Sequence, residues 1–540
     1  MDAFEAVLKR KLENPKVASG SMLILEGPGL TEEHLSRIAR EYFSNELLES
    51  WTLQTERELS HSERFHPERV KREMPKNLQS RLAGPLEKVP LSSLSSGEIL
   101  AFCKRKGFKL NETQIPLIQK YFREQEKREA TDAELDIFSK VWGDQSSRKY
   151  IRSIFRYETG KEAGTDVGSE IPRDIVNPLS KTFFETIKEV PRSWILSAFE
   201  GQAPLISLDE EDALSIENEI ESKTVAADAL HGAMMGLGES ILRSSLASRG
   251  ARPILTTDVI FTPDLYSLPQ GSLESMHPRR VLDGVKQGIS MAGTQLGVPT
   301  VGGALYVDSK EGATPVLHLS NVSILPKTSA GQSVELREAN AGDLLILLGS
   351  KTGRDGVLGS PSVQIVDTLT QKRIMGLVLE AREHGLTQAL YEVGESGLAW
   401  SLYRISTHLG GVEVDLSQVP LRQPGLKITE ILGSESLERV ILIASPENKD
   451  AVLSLATRRG LEATAIGKVT DRSRLEIEFE KESVVSIDLK ILKEGDPTGI
   501  RDAKWSGPKK PKVREYGDFA KEGVEILLRL LSHPNISSRE

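Results

Sequence analysis

Five consecutive aliphatic residues, Leu344–Leu348 (LLILL), run directly into Gly349-Ser350-Lys351-Thr352-Gly353-Arg354-Asp355-Gly356. An apolar run of about four to eight residues closed by glycine reads as a buried strand, because a buried helix needs a longer run. The glycines free the backbone to turn its N–H groups toward an anion, and Lys351 and Arg354 add positive charge. A phosphate cradle and a plain solvated turn are both open readings of this loop.

The strand belongs to a texture of short apolar strands, glycine turns and long helices that begins near residue 192. Strands are expected at 194–199, 213–216, 298–301 and 315–324, with a helix at 228–249. A further segment opens near residue 341, with helices at 368–384 and 395–407 and strands at 439–444 and 463–468. Residues 1–85 read as a small α+β unit: strands at 21–26 and 51–55, a helix at 31–43 with Thr31 as N-cap, and a charged stretch at 56–82. Residues 86–191 read as helical. Ser95 and Ser96 precede an apolar helical pattern at 94–103, and charged helices follow near 112–128 and 132–155. The last is opened by Thr131 and Glu134 as a capping box. Residues 158–173 read as a loop, and a basic, Pro-rich linker after Pro497 leads to a helix at 518–531. The domains expected are therefore 1–85, 86–191, 192–340, 341–505 and a C-terminal tail and helix, 506–540.

Composition narrows the function. The chain has 540 residues, of which 38% are hydrophobic and 27% charged, the mix of a globular protein. With 69 Lys+Arg against 78 Asp+Glu the formal net charge is -9, which argues against general nucleic-acid binding. The lone cysteine, Cys103, excludes an internal disulfide framework and a Cys-cluster zinc site and fits a reducing cytosol. The N-terminal residues lack the apolar run of a signal peptide, and no window approaches the length of a transmembrane span. A soluble, cytoplasmic, multidomain protein is the expectation.

Generic catalytic motifs are missing. The nine histidines show no recognised ligand spacing, and no Walker A, G-x-S-x-G or kinase signature occurs. Gly236-Leu237-Gly238 lies on a helical pattern and is better explained by close helix packing than by dinucleotide binding. Glu217, Glu219 and Glu221 alternate on a strand pattern and so share one face. Three like charges on one face need an opposing cation if buried, with magnesium one candidate, or else an edge facing water.

These residues resemble a known family. Asp132–Lys149 (DAELDIFSKVWGDQSSRK) is similar to the linker helix of phosphoribosylformylglycinamidine synthase, the PurL family, where the pattern runs E-L-x-x-F-x-x-x-W-S-E-H-C-x-Y-K. His231–Ile254, Gly297–Gly303 (GVPTVGG) and Gly349–Gly356 resemble its later motifs in order. Asp415–Arg422 (DLSQVPLR) and Gly433–Arg439 (GSESLER) are similar to D-L-x-x-V-P-L-R and L-S-E-S-Q-E-R. The resemblance implies an α+β and α/β architecture: a PurM-like ATP-cleft domain plus a covering domain, preceded by a PurS-like α+β domain and a helical linker. It implies ATP- and glutamine-dependent amidation of formylglycinamide ribonucleotide in purine biosynthesis, with ATP and Mg2+.

Carried over by position, Glu219 and Glu392 fall at magnesium ligands, Gln364, Glu435 and Ser436 at substrate contacts, and Lys149 at the linker lysine. Lys351 and Arg354 are the nucleotide-binding candidates. Several positions depart from the pattern. Gln145 stands at the catalytic histidine and cannot transfer protons near neutral pH. Arg148 replaces a tyrosine, Leu437 a glutamine, and Glu221-Ser222-Lys223-Thr224 the family's H-N-H-P. Arg243 lies at or beside a magnesium aspartate, where a cation repels the metal. The final residues, LLRLLSHPNISSRE, resemble the opening of the family's second half, so the chain reads as a first half. The expected partners are a second-half synthetase chain and a glutaminase supplying ammonia, in a hetero-oligomer. The alternative is a catalytically inactive PurL-like protein acting as a structural or regulatory partner.

Overall fold

The computed structural model describes residues 29–39, 86–143, 153–157, 174–176, 182–183, 185–189, 192–198, 204–265, 277–308, 314–333, 339–356, 364, 366–503, 519–533 and 535–536, with residues 25, 27 and 53. The chain forms two compact units, Met1–Pro67 and Glu68–Glu540. In the first, helix α1 (Glu32–Ile38) begins where the Thr31 side chain accepts from His34 N–H, the cap expected from sequence. The strands expected at 21–26 and 51–55, the segment 56–82, the loop 158–173 and most of the linker after Pro497 lie outside the described residues, as does nearly all of the segment 1–85 expected to be a PurS-like domain.

The second unit starts with a helical layer. Helices α2 (Ser96–Lys106) and α4 (Asp132–Trp142) both open on capping boxes, Ser95 with Glu98 and Thr131 with Glu134. Between them α3 (Ile115–Tyr121) runs into a wide turn at Phe122–Glu126. Phe138 and Trp142 meet edge-to-face at 4.7 Å, and the Trp142 Nε1–H donates to the Leu492 carbonyl at 3.0 Å. The helix expected to reach residue 155 stops at Trp142, because Gly143 turns extended. Residues 154–157 (IFRY), β-branched and aromatic, form a strand parallel to Ile500–Ala503 instead.

A six-stranded sheet follows: β1 (Ile195–Ser197), β2 (Leu205–Ser207), β3 (Asp212–Glu221), β4 (Arg252–Pro263), β5 (Thr300–Asp308) and β6 (Val316–Pro326), in the order β1-β2-β3-β6-β4-β5. All neighbours are antiparallel except β4 and β5. Helices α5 (Ala229–Ser245) and α6 (Pro278–Leu296) pack on one face, where Leu317 and Leu319 of β6 are fully buried. On the opposite face Ile220 is 63% exposed, and Phe261 and Tyr306, 41% and 48% exposed, stack at 5.3 Å. The sequence expectation contains neither β4 nor α6.

The second sheet has seven strands: β7 (Leu344–Gly349), β8 (Ala389–Glu392), β9 (Gly411–Asp415), β10 (Arg439–Ala444), β11 (Glu462–Thr470), β12 (Arg474–Phe479) and β13 (Glu482–Asp488), in the order β8-β10-β7-β11-β9-β12-β13. Its helices are α7 (Thr368–Glu383), α8 (Gly397–Leu409), α9 (Ile428–Gly433) and α10 (Lys449–Arg458). The LLILL run explains itself here. Leu345 and Leu347 enter the core shared with α4 and α8, while Ile346 and Leu348 enter the core of α5, α7 and α10. A strand flanked on both faces needs apolar residues at every position. The helices α5, α7 and α10 thus lie between the two sheets. A last helix, α11 (Phe519–Ser532), exposes Val524, Leu527 and Leu528, and beyond it Asn535 pairs with the Val307 backbone of edge strand β5.

Candidate functional site

The two sheets present two adjoining polar clusters. The first is built on β3. Glu217 and Glu219 project from one face, as the alternation requires, and both reach Arg243 on α5. Arg243 Nη1–H donates to Glu217 at 3.1 Å and to Glu219, and its Nε–H donates to Glu392 of β8 at 2.8 Å. Glu221 turns to the same face, bonded to the Thr224 hydroxyl and lying against Gly236, where a Cβ would sit 2.5 Å from its Cγ. Gly238 likewise lies against Gln371, at 2.7 Å from a would-be Cβ. The two glycines serve close packing, as their helical setting predicted.

Electrostatics follow from this crowding. Burial raises the pKa of Glu217, with Arg243 pulling the other way, and raises that of Glu221 to about 7. Glu239 is raised well above the ordinary carboxylate range by burial and by Glu392 nearby. Burial acts to lower the Arg243 pKa, but Glu392, Glu219 and Glu217 override it and hold the guanidinium charged.

Magnesium does not fit this arrangement. Glu219 and Glu392, the positions expected to bind it, both spend oxygens on Arg243. Like charges at about 4 Å repel by about 4 kcal/mol per unit charge near a protein surface, and a dication doubles that. Among the described residues no group of three or more His, Cys, Asp or Glu is disposed to hold a metal ion. The resemblance set Arg243 at or beside a magnesium aspartate position; only the fold shows it among Glu217, Glu219 and Glu392.

The second cluster surrounds the glycine loop. Three of its N–H groups are spent inside the protein: Ser350 donates to the Glu438 carbonyl and Thr352 to that of Pro420, both at 2.8 Å, and Gly353 donates to the Ser436 hydroxyl at 2.9 Å. The glycines make room for protein neighbours, at Gly353 for Arg422, whose Nη1 would lie 2.9 Å from a Cβ there. At Gly356 (φ +72) a Cβ would lie 2.2 Å from Glu435 Oε2, and at Gly349 (φ +107) one would lie 2.0 Å from the Glu438 carbonyl. Arg354 is held by Glu430 at 3.2 Å and by the Gly425 carbonyl, while exposed Lys351 faces Glu462 at 3.7 Å.

Gln364, Glu435 and Ser436 do come together. The Gln364 Nε2–H donates to the Glu435 carbonyl at 2.8 Å, and Glu435 Oε1 accepts from Ser396 N–H at 2.9 Å. Ser436 donates its hydroxyl to Asp355, which also pairs with Arg422 at 3.0 Å. Beneath them buried Arg439 donates to Thr352 Oγ1 at 2.9 Å and to the carbonyls of Ser436 and Ser434. Burial lowers its pKa to about 10 and raises that of Glu435. Asp355 and Arg439 were not singled out from sequence, although Arg439 closes the GSESLER match. Lys140, near the end of α4, lies against Gly433, so the linker helix ends beside this cluster. Gln145 and Lys149 lie outside the described residues. A separate cavity of about 830 Å³ between α6 and β4–β5, lined in part by Asp258, Lys286 and Ile289, includes no residue of either cluster.

Comparison with known proteins identifies the architecture. The family model "AIR synthase related protein, N-terminal domain" matches residues 201–325, which hold β2 to β6 of the six-stranded sheet, and "AIR synthase related protein, C-terminal domain" matches residues 340–480. The phosphoribosylformylglycinamidine synthase subunit PurL of Methanopyrus kandleri is 29% identical over 447 residues, covering 79% of this chain and 54% of that protein. The subunit PurL of Aquifex aeolicus is 31% identical over 369 residues, covering 64% and 47%. The chain belongs to the PurL family. Its fold agrees: Thermotoga maritima PurL complexed with ATP superposes with a TM-score of 0.53 at 22% identity, over 74% of this chain and 57% of that one. The structure of PurLQS from Thermotoga maritima gives 0.52. The two sheets are thus the PurM-like pair of a PurL-family chain, which spans about half the length of the curated relatives it matches.

Proposed function

We propose that this chain is the first-half subunit of a split phosphoribosylformylglycinamidine synthase, acting in the cytoplasm in de novo purine biosynthesis. The reaction is ATP- and glutamine-dependent amidation of formylglycinamide ribonucleotide: ATP phosphorylates the amide oxygen, and ammonia from a glutaminase subunit displaces phosphate. The observation that carries the reading is the convergence of Gln364, Glu435 and Ser436 around one loop of a PurL-family fold. Glu435 and Ser436 would contact the substrate, with Gln364 setting the position of the Glu435 backbone. Lys351, the more exposed of the loop cations, would meet the nucleotide phosphates, with Arg354 fixed behind it. The open sheet face bearing Ile220, Phe261 and Tyr306 is where the second-half chain would sit. No step is assigned to magnesium on Glu219 and Glu392.

Calorimetry with ATP and with formylglycinamide ribonucleotide, on the chain alone and with a PurL second-half chain, tests this. Binding that depends on the partner and is lost in Glu435→Ala supports it; partner-independent behaviour with an inert Glu435→Ala refutes it.

The lodging of Arg243 among the acids favours a second reading, a PurL-like protein that has given up catalysis for a structural or regulatory role. Gln145→His separates the two, since ATP hydrolysis by a catalytic subunit responds at that position and that of an inert partner does not.

A further inference from the structure

Helix α6 does not cover the whole of the six-stranded sheet. Two glycines draw it toward α5: a Cβ on Gly284 would lie 2.7 Å from Ala229 Cβ, and one on Gly288 would lie 2.4 Å from the Leu230 carbonyl. With α6 held there, a cavity of about 830 Å³ opens between its other flank and the last two strands, β4 and the edge strand β5. Leu282, Lys286 and Ile289 follow helical spacing and so share that flank. Ile260 and Leu305, a register pair of β4 and β5, line the sheet side, and all four aliphatic side chains are only half-buried.

The charged groups of the cavity stand at opposite ends. Asp258, on the same face of β4 as Ile260, is 5% exposed and forms the floor. It accepts from the Thr256 hydroxyl at 2.7 Å and from the Thr300 hydroxyl at 3.0 Å, and its register partner Gly303 brings no side chain over it. Burial raises its pKa, with the two hydroxyls acting the other way. Lys286 stands at the solvent end, its side chain 65% exposed and 3.7 Å from Asp283. A buried carboxylate is costly unless it is paired, so the floor calls for N–H donors bearing positive charge. The aliphatic walls call for a flat apolar body, and the ammonium calls for an acid group at the outer end.

We propose that this cavity binds a small aromatic acid whose inner end sets an amidine or amino group against Asp258 and whose acid group meets Lys286. The site stands apart from the synthase reading, because no residue of either polar cluster lines it, so failure of one leaves the other standing.

The probe is 4-amidinobenzoate, compared by calorimetry on the full chain with benzoate, which lacks the donors, and with benzamidine, which lacks the acid. Wild type is expected to bind 4-amidinobenzoate about tenfold more tightly than benzoate and about threefold more tightly than benzamidine. Asp258→Asn should erase most of the first preference while leaving benzoate unchanged, and Lys286→Gln should erase the second. Ile289→Trp, which fills the lumen, should abolish binding of all three. Equal wild-type affinity for 4-amidinobenzoate and benzoate overturns the proposal, and so does no binding at millimolar concentration or binding untouched by Asp258→Asn and Ile289→Trp. If Asp258→Asn does not fold, Lys286→Gln at its exposed position decides: loss of the preference over benzamidine supports the proposal and an unchanged preference overturns it.

Discussion

Gln364 donates its side-chain amide to the backbone carbonyl of Glu435 at 2.8 Å, across 71 residues of sequence. The bond fixes the carbonyl that precedes Ser436, so it sets where both Glu435 and Ser436 present themselves. Gln364→Leu removes the donor and leaves a half-buried carbonyl without it. The expected loss is about 1 kcal/mol of stability, with formylglycinamide ribonucleotide affinity down about tenfold if the site holds that substrate. Urea denaturation and calorimetry on the same variant measure the two effects separately.

Glu438 predicts a pH dependence. Burial raises its pKa to about 8 from the ordinary 4.5, so the folded chain holds a proton there that the unfolded chain has released. Its contribution to stability is full below about pH 4.5 and is lost progressively as pH rises through 8. Glu438→Gln keeps an oxygen for the Asp367 N–H and removes the titration. Its melting temperature should exceed that of wild type most at pH 8 and above, and the difference should shrink toward pH 4.5.

Arg439 is 1% exposed and donates to Thr352, Ser434 and Ser436 together. Arg439→Met preserves much of the volume but strands those acceptors in the interior. A loss of about 3 kcal/mol or more is expected, read as a fall in the urea midpoint at unchanged slope.

Helix packing between α5 and α6 gives a sharper test of close approach. A Cβ on Gly288 would lie 2.4 Å from the Leu230 carbonyl and 2.8 Å from Ala233 Cβ. Gly288→Ala gains about 1 kcal/mol of helix propensity, but overpacking against backbone costs about 1–3 kcal/mol. The variant should therefore melt lower than wild type, opposite to the effect of the same change in an exposed helix.

The open sheet face predicts a variant without a stability effect. Ile220→Lys at a 63% exposed position should change the folding free energy of the isolated chain by no more than about 0.5 kcal/mol. It should nevertheless abolish co-elution with a PurL second-half chain on size exclusion. Intact co-elution would place the partner on some other surface.

Much of the framework was legible in advance because it rests on short-range rules. The Thr131–Glu134 capping box depends on residues three apart, the common face of Glu217 and Glu219 on a period of two, and the buried character of LLILL on an unbroken apolar run. Elements without such marks escaped. β4 (RPILTTDVIFTP) mixes polar and apolar residues, and the overlong helix predicted to residue 155 stopped at a glycine whose extended conformation local pattern does not dictate.

The same division holds at the site. Sequence by itself put Glu217 and Glu219 on one strand face, matched Glu219, Gln364, Glu435 and Ser436 to positions in the pattern of one family, and set an arginine near a position where a metal ligand was expected. Only the tertiary structure decided what the acids face and what the glycine loop is for. Arg243 is 24 residues from Glu219 and 149 from Glu392, and the partner of a charge at such separations is set by how two sheets stack across a helix. The loop's glycines suit an anion cradle and a closely packed carboxylate equally well. That Gly356 admits Glu435 is settled by where the neighbouring strand ends carry it.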